Sequence, residues 1–247
     1  MPLFAPPSIT RYDLNFTLLG IPVRVHPLFW LLAAVFASAN RNLLVLLIWI
    51  AVIFIAILVH EMGHALLMRH YGHNPQVVLY MGGGLTISEP RPWGNTWANV
   101  SLRPAQEILV SLAGPGVGFL LAALIVLAVQ LSGGMVNLTL IYGFLPYPVV
   151  WLPFCGTYLN TIVMALLWVN IFWGVLNLMP VLPLDGGEVM HMILIQNDPR
   201  DGRRKALMVS FIGGVVVALF GLLVMKSIYI ALMFGFLAFQ SYQGMRL

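Results

Sequence analysis

The sequence is short of charge. Only 8% of its 247 residues are Asp, Glu, Lys or Arg, against about 25% in an ordinary soluble domain. So few charges cannot cover a water-exposed surface, which excludes a soluble globular protein. Cysteine is scarcer still. Cys155 stands alone, which excludes an internal disulfide framework and any zinc site built on thiolates. No low-complexity tail, long linker or internal repeat is evident. Met1 to Val25 contains no uninterrupted apolar run, so a secretory signal peptide is not expected. Nor does a basic patch interleave with aromatic residues. The net charge of +4 and the pI of about 9.5 therefore do not point to nucleic acid; in an apolar chain Lys and Arg mark the cytoplasmic loops.

What the chain has in quantity is apolar sequence, 60% of its residues, with a mean hydropathy of +0.94. Hydrophobic runs predict an α-helical polytopic membrane protein with about six spans: Leu28–Ala39, Leu43–Arg69, Ile108–Leu131, Leu159–Leu178, Ala206–Met225 and Ile228–Phe239. The last two form a hairpin around Lys226. The whole of residues 1–247 reads as a single membrane-embedded domain. With six spans, Arg41 and Lys226 alone fall on one side of the membrane. Arg11, Arg24, Arg69, Arg91, Arg103, Arg200, Arg203, Arg204, Lys205 and Arg246 fall on the other, so both termini are expected to be cytoplasmic. Two segments on that side look like strands, a small membrane-associated β-layer. Ile21, Val23 and Val25 alternate with Pro22, Arg24 and His26, and Val77 to Ser88 is β-rich around Gly82, Gly83 and Gly84. Gly133 to Tyr158 carries no charge and reads equally as an outward loop, a re-entrant piece or part of a further span.

One apolar run leads straight into His60-Glu61-Met62-Gly63-His64. This is the H-E-x-x-H pattern of zinc proteases. On a helix, positions i and i+4 share a face, so both imidazoles can reach one metal. Glu61 adjoins a ligand without facing the metal, where it can hold a water and take its proton. Ionisable residues inside a span are expensive and functional by default. One core histidine needs only a hydrogen bond; His, Glu and His on one turn need more.

A catalytic zinc usually has three protein ligands plus water. With eight acidic residues in the chain, elimination is practicable. Asp13, Glu89, Asp198 and Asp201 sit in polar loops and Glu61 is assigned, which leaves Glu107, Asp185 and Glu188. Asp185 stands out within Asn177-Leu178-Met179-Pro180-Val181-Leu182-Pro183-Leu184-Asp185-Gly186-Gly187. Pro180 and Pro183 break the helical ladder, and Gly186 and Gly187 permit a sharp reversal. The expectation is a carboxylate on bent backbone at membrane depth; a helix-end cap is the plainer alternative. Elsewhere, His26 reads as an interface residue rather than a proton partner near the site, and Asn170 as a partner of Asn177 or of another helix.

Together, HEMGH in the second span and NLMPVLPLDGG after the fourth resemble the site-2 protease family of intramembrane metalloproteases, over most of the chain. The resemblance implies one Zn2+ per chain held by His60, His64 and Asp185, with Glu61 as general base. It implies that Asn177 helps hold the substrate or the oxyanion, and that Gly82, Gly83 and Gly84 lie in an edge region that receives substrate. It agrees with a six-span core. Ser111-Leu112-Ala113-Gly114-Pro115 resembles the family's small-residue segment, for which close helix packing is expected; Gly118 stands where the family often has Asn. No counterpart of the PDZ or CBS modules of some relatives is seen, so a bare catalytic core is expected.

The implied activity is hydrolysis of peptide bonds in or near transmembrane segments, with a transmembrane or membrane-proximal protein as substrate and the lipid bilayer as surroundings. A prokaryotic cell membrane is the expected location. A membrane zinc carrier is one rival, although Glu61 would be superfluous there. A non-catalytic membrane-binding homologue is another, against which the intact Glu61 speaks. A CAAX-type membrane metalloprotease would use a downstream Glu instead of Asp185. Depth follows from helix rise: His60 precedes Arg69 by nine residues, or roughly 13 Å at 1.5 Å per residue.

Overall fold

The computed structural model describes residues 7–37, 42–88, 92–93, 96–97 and 102–246. Ala39, Arg41, Glu89 and Arg91 lie outside the described residues. The chain divides into two compact units.

The first unit draws on Met1–Leu102, Ala113–Thr139 and Tyr147–Gly174. It opens on a hairpin of β1 (Leu14–Leu18) and β2 (Ile21–Val25), paired antiparallel from Leu18↔Ile21 to Leu14↔Val25. Leu19 and Gly20 make the turn with φ of +50° and +77°, the doubly positive geometry that suits a two-residue hairpin. Helices α1 (Pro27–Ala37) and α2 (Leu43–His70) then form the crossover to β3 (Pro75–Tyr80), which runs parallel to β2. β4 (Gly83–Ser88) pairs antiparallel with β3 and ends the four-stranded sheet. The alternating valines and isoleucines of the sequence reading are its packed face. Ile21, Val23, Val25, Val77 and Leu79 are buried against Phe29 and Ala33 of α1 and Ile53, Ile57, Leu58, Met62 and Ala65 of α2. The sheet thus lies directly on the helix that carries the HEMGH turn.

Alternation fails at Arg24, which is buried rather than outward. The reason is a partner. Its guanidinium pairs with Asp13 at 3.2 Å and donates to the Pro7 carbonyl at 3.0 Å, while the hydroxyl and amide of Thr10 donate to the same carboxylate. A buried charge satisfied this way is tolerated. His26 is also buried; its Nδ1 accepts from the Leu28 amide at 3.2 Å at the start of α1.

α2 has 28 residues, about 42 Å of helix. Asn42 caps it by accepting from the amides of Leu44 and Val45, and Arg69 and His70 complement its C-terminal dipole. After two short strands, β5 (Pro92–Trp93) and β6 (Thr96–Trp97), comes α3 (Pro104–Leu131), with Pro115 inside it. The uncharged stretch after α3 is not a spanning helix. It is a hairpin of β7 (Met135–Ile141) and β8 (Leu145–Trp151), leading into α4 (Thr157–Asn177). Asn160 holds the end of β8, accepting from the Leu152 amide and donating to the Leu152 carbonyl.

The second unit draws on Arg103–Leu112, Leu140–Pro146 and Val175–Leu247. Its helices are α5 (Asp185–Asn197), α6 (Gly202–Leu223) and α7 (Ile228–Gly244). α6 and α7 pack closely enough that a methyl on Gly214 would stand 3.0 Å from Ala238. A buried thread of hydroxyls crosses their interface. The Leu182 amide donates to Ser210 Oγ at 2.8 Å, Ser210 and Ser241 are 2.7 Å apart, and Ser241 donates to the Leu237 carbonyl at 3.1 Å. With the Ser241 proton committed to Leu237, Ser210 is the donor between the two serines.

Four helices are long and apolar enough to cross a membrane among the described residues: α2, α3, α4 and α6. Only 22–33% of the most apolar window of each is buried, so their outer faces are apolar and uncovered, as lipid requires. α1 and α7 fall outside those four, with 11 and 17 residues, about 16 and 25 Å of helix against ~30 Å of hydrocarbon.

Candidate metal centre

On α2 the two histidines fall one turn apart and both are buried, with Glu61 between them buried as well. Their Nε2 atoms stand 3.2 Å apart. Two ligands of a tetrahedral zinc, each at ~2.0–2.1 Å from the metal, stand about 3.3–3.4 Å apart. The spacing therefore fits two donors to one ion. His60 and His64 therefore present two buried nitrogen donors on one turn of α2. Two imidazoles suit zinc, which in catalytic sites takes three protein ligands and leaves a position open.

Backbone packing dictates where His64 sits. A methyl on Gly114 of α3 would come within 2.2 Å of His64 Nε2, and one on Gly63 within 2.6 Å of the Ala113 carbonyl oxygen. The small-residue segment Ala113-Gly114 thus does pack closely, and what it packs against is the imidazole itself. Further along α3, Gly118 faces Asn170. Asn170 donates to the Leu166 carbonyl of its own helix at 2.8 Å.

Glu61 lies under β4. A methyl on Gly84 would overlap its side chain at 2.4 Å. Two residues on, Thr86 Oγ1 is 2.8 Å from Glu61 Oε2 and 3.1 Å from the Glu61 carbonyl oxygen. On β3, burial and then the charge of Glu61 push the Tyr80 phenol up to about 12, so it remains a neutral donor in that neighbourhood. Of the three glycines expected near substrate, only Gly84 abuts the carboxylate: Gly82 lies against the Tyr80 ring, and Gly83, at φ +107°, lies beside Trp173. Neither Thr86 nor Tyr80 was singled out from the sequence. Thr86 carries a faint signal in retrospect, since it shares the Gly84 face of a period-two strand.

Asp185 is the first residue of α5 and half-buried; the N-terminal end of a helix favours its negative charge. Before it, the segment after α4 is folded tightly by hydrogen bonds from Met179 N to Leu176 O, Val181 N to Met179 O and Leu184 N to Val181 O. Gly186 and Gly187 do not make a reversal there. They belong to α5 and are glycine for want of space, since a methyl would meet the Leu178 carbonyl at 2.2 Å and the Val181 carbonyl at 2.5 Å. Asn177 ends α4, half-buried. Burial raises the Glu188 carboxyl; His191, 3.6 Å away, opposes the rise, and Glu107 and Asp185 add to it.

Apolar helices with uncovered faces and a sheet laid on the buried HEMGH turn mark an integral membrane protein with paired histidine donors inside a span. A family model described as peptidase family M50 matches residues 48–221, and the chain belongs to that family. It is 24% identical over 222 residues to a zinc metalloprotease of Methanocaldococcus jannaschii, covering 87% of this chain and 55% of that protein. A second relative, from Synechocystis sp., is 28% identical over 194 residues, 73% of this chain and 43% of that protein. The chain thus spans about half the length of the curated relatives it matches. The solved structure of a site-2 protease from Methanocaldococcus jannaschii superposes with a TM-score of 0.56 at 24% identity, covering 96% of each chain. The fold is that of the site-2 proteases.

Proposed function

We propose that this chain is an intramembrane zinc metalloprotease that hydrolyses peptide bonds in or near transmembrane segments of protein substrates, with residues 1–247 acting as one catalytic domain. The observation that carries the proposal is the buried His60-Glu61-x-x-His64 turn, whose Nε2 atoms are 3.2 Å apart inside an apolar helix long enough to span. In this reading His60, His64 and Asp185 hold the ion, Glu61 is the general base, and Asn177 assists the substrate or oxyanion.

Bound zinc would lower the pKa of a water at the site to about 7 and polarise the scissile carbonyl. Glu61 takes the proton of the attacking water on its carboxylate and returns it to the leaving amine. Tyr80, neutral beside it, does not compete for that proton. A substrate helix has its carbonyls already hydrogen-bonded, so it must unwind before it is cut. Among the described residues β4 has β3 on one edge only, and an extended segment near Gly82, Gly83 and Gly84 can pair with the other. We further propose a core of six spans, counting α1 and α7, with both termini cytoplasmic in a prokaryotic cell membrane.

The test is Glu61→Gln in the full chain, incubated with a panel of single-pass membrane segments with and without chelator. The variant is expected to keep its zinc and to lose cleavage by at least ~10²-fold, the usual contribution of a general base. Near-normal turnover would reject the role of Glu61. Zinc transport without any cleavage by the unaltered chain would favour a carrier.

A further inference from the structure

We propose that Gly84 and Thr86 form a seat that holds the Glu61 carboxylate in its working position, with Thr86 as a positioning residue. The inference rests on the reading of Glu61 as general base. Residues i and i+2 of a strand project to the same face, and on β4 that face carries Gly84 and Thr86. Each does something different to Glu61. Gly84 leaves it room, because a single added carbon would stand 2.4 Å from its Cγ and from Oε1, and 2.5 Å from Cδ. Thr86 ties it down, because Oγ1 lies 2.8 Å from Oε2. The hydroxyl has one proton, and the carboxylate is both closer and more basic than the Glu61 carbonyl at 3.1 Å. The proton therefore goes to Oε2, leaving Oε1 as the oxygen available to a water.

The tie crosses from a strand to a helix, so it does more than fix one rotamer. Glu61 has three side-chain torsions, and a carboxylate free to rotate about them would spend part of its time out of reach of a water. A base must be within hydrogen-bond distance of the proton it takes, and small misplacements cost rate steeply. β4 is also an edge strand of its sheet among the described residues. A segment that added to that edge would stiffen the strand bearing Thr86, and so would steady the base at the moment of use.

The experiment compares Thr86→Val, Thr86→Ser, Gly84→Ala and Glu61→Gln in the full chain. Zinc per chain, thermal midpoint, kcat and KM on a single-pass substrate, and the Kd of a peptidyl hydroxamate, whose N–OH proton a seated carboxylate receives, are all measured. Thr86→Val is nearly isosteric and removes only the hydroxyl. It should keep its zinc and hold KM within about twofold, while kcat falls roughly 10- to 100-fold, the size of a lost hydrogen bond to a charged group. Hydroxamate affinity should weaken alongside kcat. Thr86→Ser should restore both to within a few-fold, and Gly84→Ala should lower kcat with zinc retained. Unchanged kcat in Thr86→Val, with Glu61→Gln inactive, overturns the seat and leaves the general base standing. Parallel loss of zinc and thermal midpoint in both Thr86 variants also overturns it, since the residue would then support the fold alone. Turnover in Glu61→Gln overturns the reading beneath it, and the seat falls too.

Discussion

Replacing Asp185 by Ala should empty the metal site, and replacing Glu188 by Ala should not. Both carboxylates are in the first turn of α5, so the helix dipole does not distinguish them. Their surroundings do, because Asp185 follows directly on the folded Pro180–Pro183 segment after α4, whereas Glu188 has His191 for a neighbour 3.6 Å away. Zinc measured per chain should drop well below one in Asp185→Ala and stay near one in Glu188→Ala; the opposite result would reassign the ligand. These residues were legible in the sequence because their signal is local: ionisable side chains at helical spacing in an apolar run, and one acid set among prolines and glycines. Thr86 was not legible in the same way. Its role depends on the register that sets Val77 opposite Thr86 and lays β4 over α2, and nothing within a strand's own sequence states which helix it will cover. Gly186 and Gly187 were marked for the right place and the wrong reason, since backbone crowding is invisible until two segments are folded together.

At the scale of elements, the segment between α4 and α5 is held by the serine thread. Ser210→Ala would leave the half-buried Leu182 amide without its acceptor, at a cost of about 1–3 kcal/mol. The variant should melt lower and bind zinc more weakly, and substituting Thr, which keeps the hydroxyl, should recover most of the loss. If Ser210→Ala kept both properties, the thread would be incidental to the placement of Asp185. A second element-scale prediction concerns the segment before β1. Burial acts to raise the Asp13 carboxyl, but the Thr10 hydroxyl and amide and the Arg24 guanidinium outweigh it and hold it below the usual carboxylate range. A depressed native pKa means the contribution is present above the unfolded value of ~3.9 and is lost as pH falls through the lower native one. Amide exchange in Leu14–Leu18 should therefore stay slow down to about pH 4 and quicken only below it. Asp13→Asn should exchange faster at every pH. Span boundaries were readable for α2, α3, α4 and α6 because long apolar runs have few other uses. The uncharged stretch after α3 could not be resolved by hydropathy, since a two-stranded hairpin of Leu, Val, Tyr and Trp has the composition of a short span; the turn at Tyr142 and Gly143, both with positive φ, is what makes it a hairpin.

For the whole molecule, the proposed orientation makes a claim about products. With Arg69 at the cytoplasmic side, His60 and His64 lie within about three turns of it, so cuts should fall toward the cytoplasmic end of a substrate helix and release a cytosolic fragment. Substrates with Gly or Pro near the cut should unwind more easily, by roughly 1–3 kcal/mol per residue. Mass spectrometry of product ends on substrates of known topology decides it; cuts clustered toward the outer side would reverse the orientation.

The packing around the HEMGH turn is unequal in stiffness. On the His64 flank, α2 meets the backbone of α3 at Ala113 and Gly114, and polypeptide backbone within a helix yields little. On the Glu61 flank the wall is a strand hydrogen-bonded along one margin, next to a glycine at φ +107°. Thermal excursions will therefore be absorbed on the side of the base and spare the side of the ligands. Heat or mild detergent should then silence turnover at a lower dose than it releases the ion, and the silenced molecules, still loaded, should regain activity on return to gentle conditions without added metal.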